Sequence, residues 1–461
     1  MTQKYFDRYK VIDVDTHITE PGDVWTTRVS SKWGNKVPHI RRIEGRDVWF
    51  IGDQPAGGPG FYTMAGHHDT FPNVPMGYDD IPAASYDAHA RLKLMDEEGI
   101  YAMVLYPNLG GFGSGGFLRL KEPELMLECV RAYNDFQVDW ASADPKRLLP
   151  VTALPFWDVA ASVKEIERSA AKGHRAVLFG SRPETFGQPP LAHKHWDPIW
   201  AATQDAGLSI SFHIGSGDIS DITNDAAGMG TKANFSRGGS LALLDNQNCL
   251  ANLLFGGVCA RFPKLDFVSV ESGVGWLSCV LEMFDWQWTN GGVRKEHPEY
   301  DLLPSEYFKR QVYGSFWFEK RGIESALKEF PNNLMWETDY PHPTSQYPSP
   351  NSTAVHPADY AQTALAGVPE ETVRKVLQGH GRAAGRGVEA WRPVPRRSGQ
   401  PGRRGPPAGR ARRARRRRRR TSPPRARRDR ASRGVRRARR ASRRGRPRRA
   451  RPRRSPGRRS P

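Results

Sequence analysis

Short runs of β-branched and apolar residues recur along the first 380 positions, separated by segments with helical spacing. We read strands at 10–16 (KVIDVDT), 102–107 (AMVLYP), 150–154 (PVTAL), 175–180 (RAVLFG), 208–214 (LSISFHI), 266–271 (DFVSVE), 311–318 (QVYGSFWF) and 334–339 (LMWETD). Several are nearly continuous in apolar character, as expected of parallel strands covered on both faces. Helical patterns fill most of the gaps. Residues 85–98 stop at Gly99, a residue suited to the left-handed position after a helix. Asp158 is placed to cap a helix running to Lys172, and Asp197-Pro198 to open one ending near Gly207. Longer helices are expected at 240–261 and 275–288, and a last one from Pro369 to about Gln378. Eight strands alternating with helices predict a (β/α)8 barrel over residues 8–380, with an open doubly wound sheet as the alternative. Two stretches show neither period, 18–84 and 215–239, and are expected to be lids or binding loops.

Charge changes the picture at one end. Residues 396–461 hold 32 arginines against one acid, Asp429, whereas residues 1–395 carry 38 basic and 48 acidic side chains, a net charge of −10. The basic balance therefore belongs to residues 381–461, a disordered Arg/Pro/Gly-rich tail. From His380 onward there is no lysine, and Arg, Pro, Gly, Ala and Ser dominate. Their codons are GC-rich, and codons can be chosen for the residues after Gly379 so that a neighbouring frame reads Ala-Ala-Arg-Leu, which makes this tail read as a frameshift product. The alternative is a basic segment that binds nucleic acid non-specifically; the barrel region shows no basic stripe interleaved with aromatics. The four cysteines (Cys129, Cys249, Cys259, Cys279) have no metal-binding or disulfide spacing. No signal peptide or membrane-length apolar run is visible. A cytoplasmic protein is expected, as a homo-oligomer and without a membrane partner.

Candidate chemistry sits at strand ends. Asp15 and His17 end the first predicted strand, His213 the fifth, Glu271 the sixth and Asp339 the eighth. Any one of these read alone is a capped turn or a hydrogen-bonded structural residue. Together they converge on the mouth of a barrel, where such folds keep their sites. Carboxylate oxygens and imidazole nitrogens without a thiolate suit one catalytic Zn(II), or Mn(II) or Fe(II). A metal-free binding protein on the same fold is the other reading. His67 and His68 lie in the long first loop as candidate substrate contacts. His342 follows Asp339 closely enough to orient it. Gly111-Phe-Gly113-Ser-Gly115-Gly116 has the form GxGxxG, but no helix pattern opens directly after it, so a mobile loop over the mouth is expected rather than a dinucleotide site.

The segments VIDVDTHITEP, SISFHIGSG, FVSVESGVGW and MWETDYPHPTS, in this order, resemble the amidohydrolase-related family that includes aminocarboxymuconate-semialdehyde decarboxylase and the γ-resorcylate decarboxylases. The resemblance covers residues 8–380. It implies that Asp15, His17, His213 and Asp339 are the metal ligands, with Asp339 and His213 in catalysis, while the position of Glu271 at a strand end makes it a further catalytic candidate. The decarboxylases carry a histidine where this chain has Glu271. No lysine ends the fourth strand, where binuclear amidohydrolases carry a carboxylated one, so the resemblance implies a single ion. It implies carboxy-lyase chemistry on a small aromatic or unsaturated acid, with hydrolysis of an amide, ester or lactone as the alternative.

Overall fold

A computed structural model describes residues 4–217, 225 and 227–379. Eight parallel strands form one sheet: β1 (Val11–His17), β5 (Ile100–Tyr106), β6 (Leu148–Thr152), β7 (Ala176–Leu178), β8 (Ser209–His213), β9 (Phe267–Val270), β10 (Val312–Phe316) and β11 (Leu334–Trp336). They pair in sequence order. The ring closes just beyond β11, where His17 N donates to Tyr340 O at 2.7 Å and Asp339 N to Asp15 O at 3.0 Å. All eight expected strands are present, and the fold is a TIM barrel.

Alternation along each strand sorts the core into two layers. Ile12, Val14, Val104, Tyr106, Val151 and Val270 fill the interior. Val11, Leu105, Phe212, Phe267 and Trp336 pack outward beneath the helices. Strict alternation would place Asp15 and His17 in the outer layer with Val11. A register shift in the β1–β5 pairing between Asp13 and Thr16 reverses the phase and turns both side chains into the mouth.

The helix expected from Asp158 starts as the sequence implies, and the one expected at 85–98 starts later, at Ala88. Asp87 and Asp158 accept from the N–H groups of Ala90 (2.7 Å) and Ala161 (2.9 Å), and Gly99 and Gly173 end those helices with φ of 75° and 108°. Asp197 departs from expectation. It is the first residue of helix Asp197–Asp205, makes no cap, and instead binds Arg261 at 2.9 Å. The helix expected at 240–261 starts earlier, as Thr231–Phe255, and a glycine break at Gly256-Gly257 separates a further turn, Val258–Arg261. The first long loop also carries structure. β2 (His39–Ile43), β3 (Arg46–Ile51) and β4 (Gln54–Pro55) make a small antiparallel sheet. Its tight turn at Glu44-Gly45 has both φ values positive, 48° and 81°. The tail, its expected disorder and the reading-frame argument lie outside the described residues. No described helix is long and apolar enough to cross a membrane.

Candidate metal centre

The ends of β1 and β8 and the turns after β9 and β11 bring Asp15, His17, His213, Glu271 and Asp339 together at one mouth of the barrel, with His342 beside them. His17 Nε2 lies 3.3 Å from an oxygen of Asp15 and 3.3 Å from one of Asp339. His213 Nε2 lies 3.4 Å from the other Asp15 oxygen and 3.2 Å from His17 Nε2. Atoms bound at about 2.1 Å to one ion, at octahedral or tetrahedral angles, stand roughly 3.0–3.4 Å apart. His17 holds that spacing to Asp15, Asp339 and His213, and His213 holds it to Asp15.

Hydrogen bonding says the same. His17 Nδ1 faces Pro107 O at 3.2 Å and His213 Nδ1 faces Ile214 O at 2.8 Å. A carbonyl only accepts, so each imidazole donates from Nδ1 and turns the lone pair of Nε2 inward. The carboxylate oxygens of Asp15 and Asp339 are buried and meet no hydrogen-bond donor in line. Two facing lone pairs and two orphaned carboxylates, all buried, form an unfavourable arrangement without a cation among them. The residues therefore fit a divalent ion, with no thiolate in the set.

Burial and the neighbouring carboxylates of Glu271 and Asp15 push Asp339 well above the usual carboxylate range. Burial also pushes Glu271 up, to about 7, against the pull of His213. Glu271 Oε2 lies 3.5 Å from His213 Nδ1. His342 stacks on His17 with ring centroids 3.6 Å apart and brings Nδ1 to 2.9 Å from Asp339 Oδ1. Its Nε2 is held by Asn108 Oδ1 at 2.6 Å.

Above this floor opens a cavity of about 460 Å³ with both Glu271 and His342 in its lining. His67 and His68 are not part of it. They line separate surface depressions with Pro75 and Asp80, and His67 Nε2 contacts Asn73 O. That loop reaches the cavity through Phe61 and Tyr62 instead. The glycine-rich loop is packed in place: a Cβ at Gly113 would come within 3.2 Å of Gly180 Cα, and Phe112 sits 4.0 Å from the His213 ring. Asn108, Phe112 and Glu337 were not singled out from sequence. Glu337, two residues before Asp339 and fully buried, carried the visible signal of a second acid in WETD.

The profile of the family described as Amidohydrolase matches residues 12–379. The chain belongs to the amidohydrolase family. A curated relative, the γ-resorcylate decarboxylase of Rhizobium radiobacter, is 29% identical over 128 residues, 27% of this chain and 37% of the relative. The match thus spans little more than a third of that protein. Among solved structures, an amidohydrolase from Mycobacterium avium subsp. paratuberculosis has a TM-score of 0.65 at 21% identity, covering 82% of this chain and 99% of its own. The 5-carboxyvanillate decarboxylase of Sphingomonas paucimobilis reaches 0.55 at 20% identity, with the same coverage. A dihydroxybenzoic acid decarboxylase from Polaromonas, solved with bound manganese and 2-nitroresorcinol, reaches 0.50 at 18% identity, covering 66% of this chain and 87% of its own. These likenesses agree with the barrel.

Proposed function

We propose that this amidohydrolase-family protein is a mononuclear metal-dependent carboxy-lyase that removes CO2 from an aromatic or unsaturated carboxylic acid. The observation that carries the reading is the placement of Glu271, which reaches His213 in the cluster and also lines the cavity. Decarboxylase names among the relative and the solved structures support it. Asp15, His17, His213 and Asp339 would hold the ion. Bound there, a divalent ion supplies a Lewis-acid anchor for the substrate carboxylate and an adjacent oxygen. Zinc suits the donor set, as do manganese and iron.

The protein's own groups account for the rest. Phe112 and the apolar cavity walls hold the substrate's carbon skeleton and exclude water. Glu271 delivers a proton to the carbon as the bond to the carboxyl carbon breaks and CO2 leaves, and recovers it from solvent afterwards. Asn108 Nδ2 donates to Ile18 O, so its Oδ1 accepts from His342 Nε2 and leaves His342 Nδ1 as a lone pair facing the Asp339 carboxyl. Substrate acids incubated in D2O should release CO2 and give product with one deuterium at the vacated carbon. Formation of alcohol, amine or ring-opened acid without CO2 would establish the hydrolase instead.

A further inference from the structure

The cavity has more room than a single phenolic ring requires, and helix Thr231–Phe255 keeps part of that room open at a cost. Gly239 lies inside this helix and lines the cavity, and a Cβ built on it would meet nothing within 4 Å. Glycine inside a helix is disfavoured relative to alanine. Gly239 is exposed and close packing does not require it, so the missing side chain leaves the wall open on the solvent side of the cavity. Much of the rest of the wall is apolar, with Phe61, Phe112, Phe235, Leu243, Trp317 and Phe318, interrupted by the hydroxyls of Tyr62, Ser236, Ser240, Ser272 and Thr344. No lysine or arginine is among the described residues that line it. A volume of about 460 Å³ lies within the roughly 300–1,000 Å³ of sites that bury drug-sized ligands. A second carboxylate on the substrate would meet aromatic rings and a few hydroxyls, with no cation among the described lining residues to receive it.

We infer that the substrate is a monocarboxylate with a bulky apolar body, two fused rings or a ring with a large hydrocarbon substituent, whose far end packs against Gly239, Phe235 and Trp317. This rests on the carboxy-lyase reading for the position of the acid group, and on the cavity alone for the size and polarity of the body.

The test uses the full-length, metal-loaded protein with three probes: salicylate, 1-hydroxy-2-naphthoate and 2-hydroxyisophthalate. Calorimetric binding and CO2 release are measured for each. The expected result is at least tenfold tighter binding and tenfold higher kcat/KM for the naphthoate than for salicylate, with the dicarboxylate poorest. Gly239→Phe should fill the space and lower naphthoate binding at least tenfold relative to salicylate. Gly239→Leu serves the same purpose if the phenylalanine variant does not accumulate folded. Equal or better binding of salicylate or the dicarboxylate, or an unchanged ratio in a folded Gly239 variant, overturns the inference even if CO2 is released. Selective naphthoate binding that depends on Gly239, with no CO2 from any probe, upholds the cavity inference and sinks the lyase reading.

Discussion

Glu271 and Asp339 both sit in the left-handed region, with φ of 54° and 59°. Non-glycine residues held there cost on the order of 1–3 kcal/mol each and concentrate at functional sites. In both cases the turn directs a carboxylate into the cluster. Replacing Glu271 with Gln keeps the shape and removes the acid. We expect bound metal to be retained and kcat to fall by about 10²–10⁴, the range typical of a positioned proton donor; unchanged turnover would remove Glu271 from the chemistry. A second buried acid allows a test away from the metal. Burial raises Glu20 to about 7, while its Oε1 accepts from the N–H groups of Asn108 and Leu109 at 2.8 and 3.0 Å. Because the folded state holds this proton more tightly than the unfolded one, Glu20 should make the protein less stable as pH rises from about 4.5 to 7, then level off. Glu20→Gln should remove that loss, on the order of 3 kcal/mol at most by pH 8. Urea unfolding of both proteins between pH 5 and 8 checks it; parallel curves would contradict it.

At the scale of elements, the sequence displays what depends on local pattern and hides what depends on register. The eight strands are legible because fully covered parallel strands are apolar runs. Asp158, Gly99 and Gly173 mark helix ends by local chemistry alone. The phase reversal in β1 leaves no local mark, since it exists only in the pairing with β5. Asp197 was misread because a long-range partner, Arg261, outcompetes the local cap. The β2–β3 hairpin was overlooked although RIEGRDVWF carries its turn, because its strands lack clean alternation. Helix Thr231–Phe255 begins in a stretch of Ser, Gly and Asn with weak helical preference. That weakness makes a prediction: Gly239→Ala should stabilise the fold by up to about 1 kcal/mol, read as a higher urea midpoint with an unchanged slope. A lower midpoint would mean that the glycine is required by packing.

For the whole molecule, the two charge regimes should separate in function. Residues 1–395 carry −10 and residues 396–461 carry +31. Deleting residues 396–461 should leave kcat/KM and metal content unchanged and abolish salt-sensitive retention on heparin. A loss of activity in a folded truncation would give the tail a catalytic part and contradict the proposal that it is a shifted reading frame. Most of the candidate site was visible before the fold, because its residues end strands that a barrel must gather at one rim. Asn108 and Phe112 were not, since only the closed barrel sets their loop beside His342 and His213.

The central claim is that Asp15, His17, His213 and Asp339 hold one divalent ion on which activity depends. Elemental analysis of the purified protein and of its His213→Ala variant, each assayed for activity, tests this most directly. The account predicts one ion per wild-type chain, and loss of both the ion and the activity in the variant. Two ions per chain, stoichiometric metal surviving in His213→Ala, or full activity in metal-free wild type would contradict it.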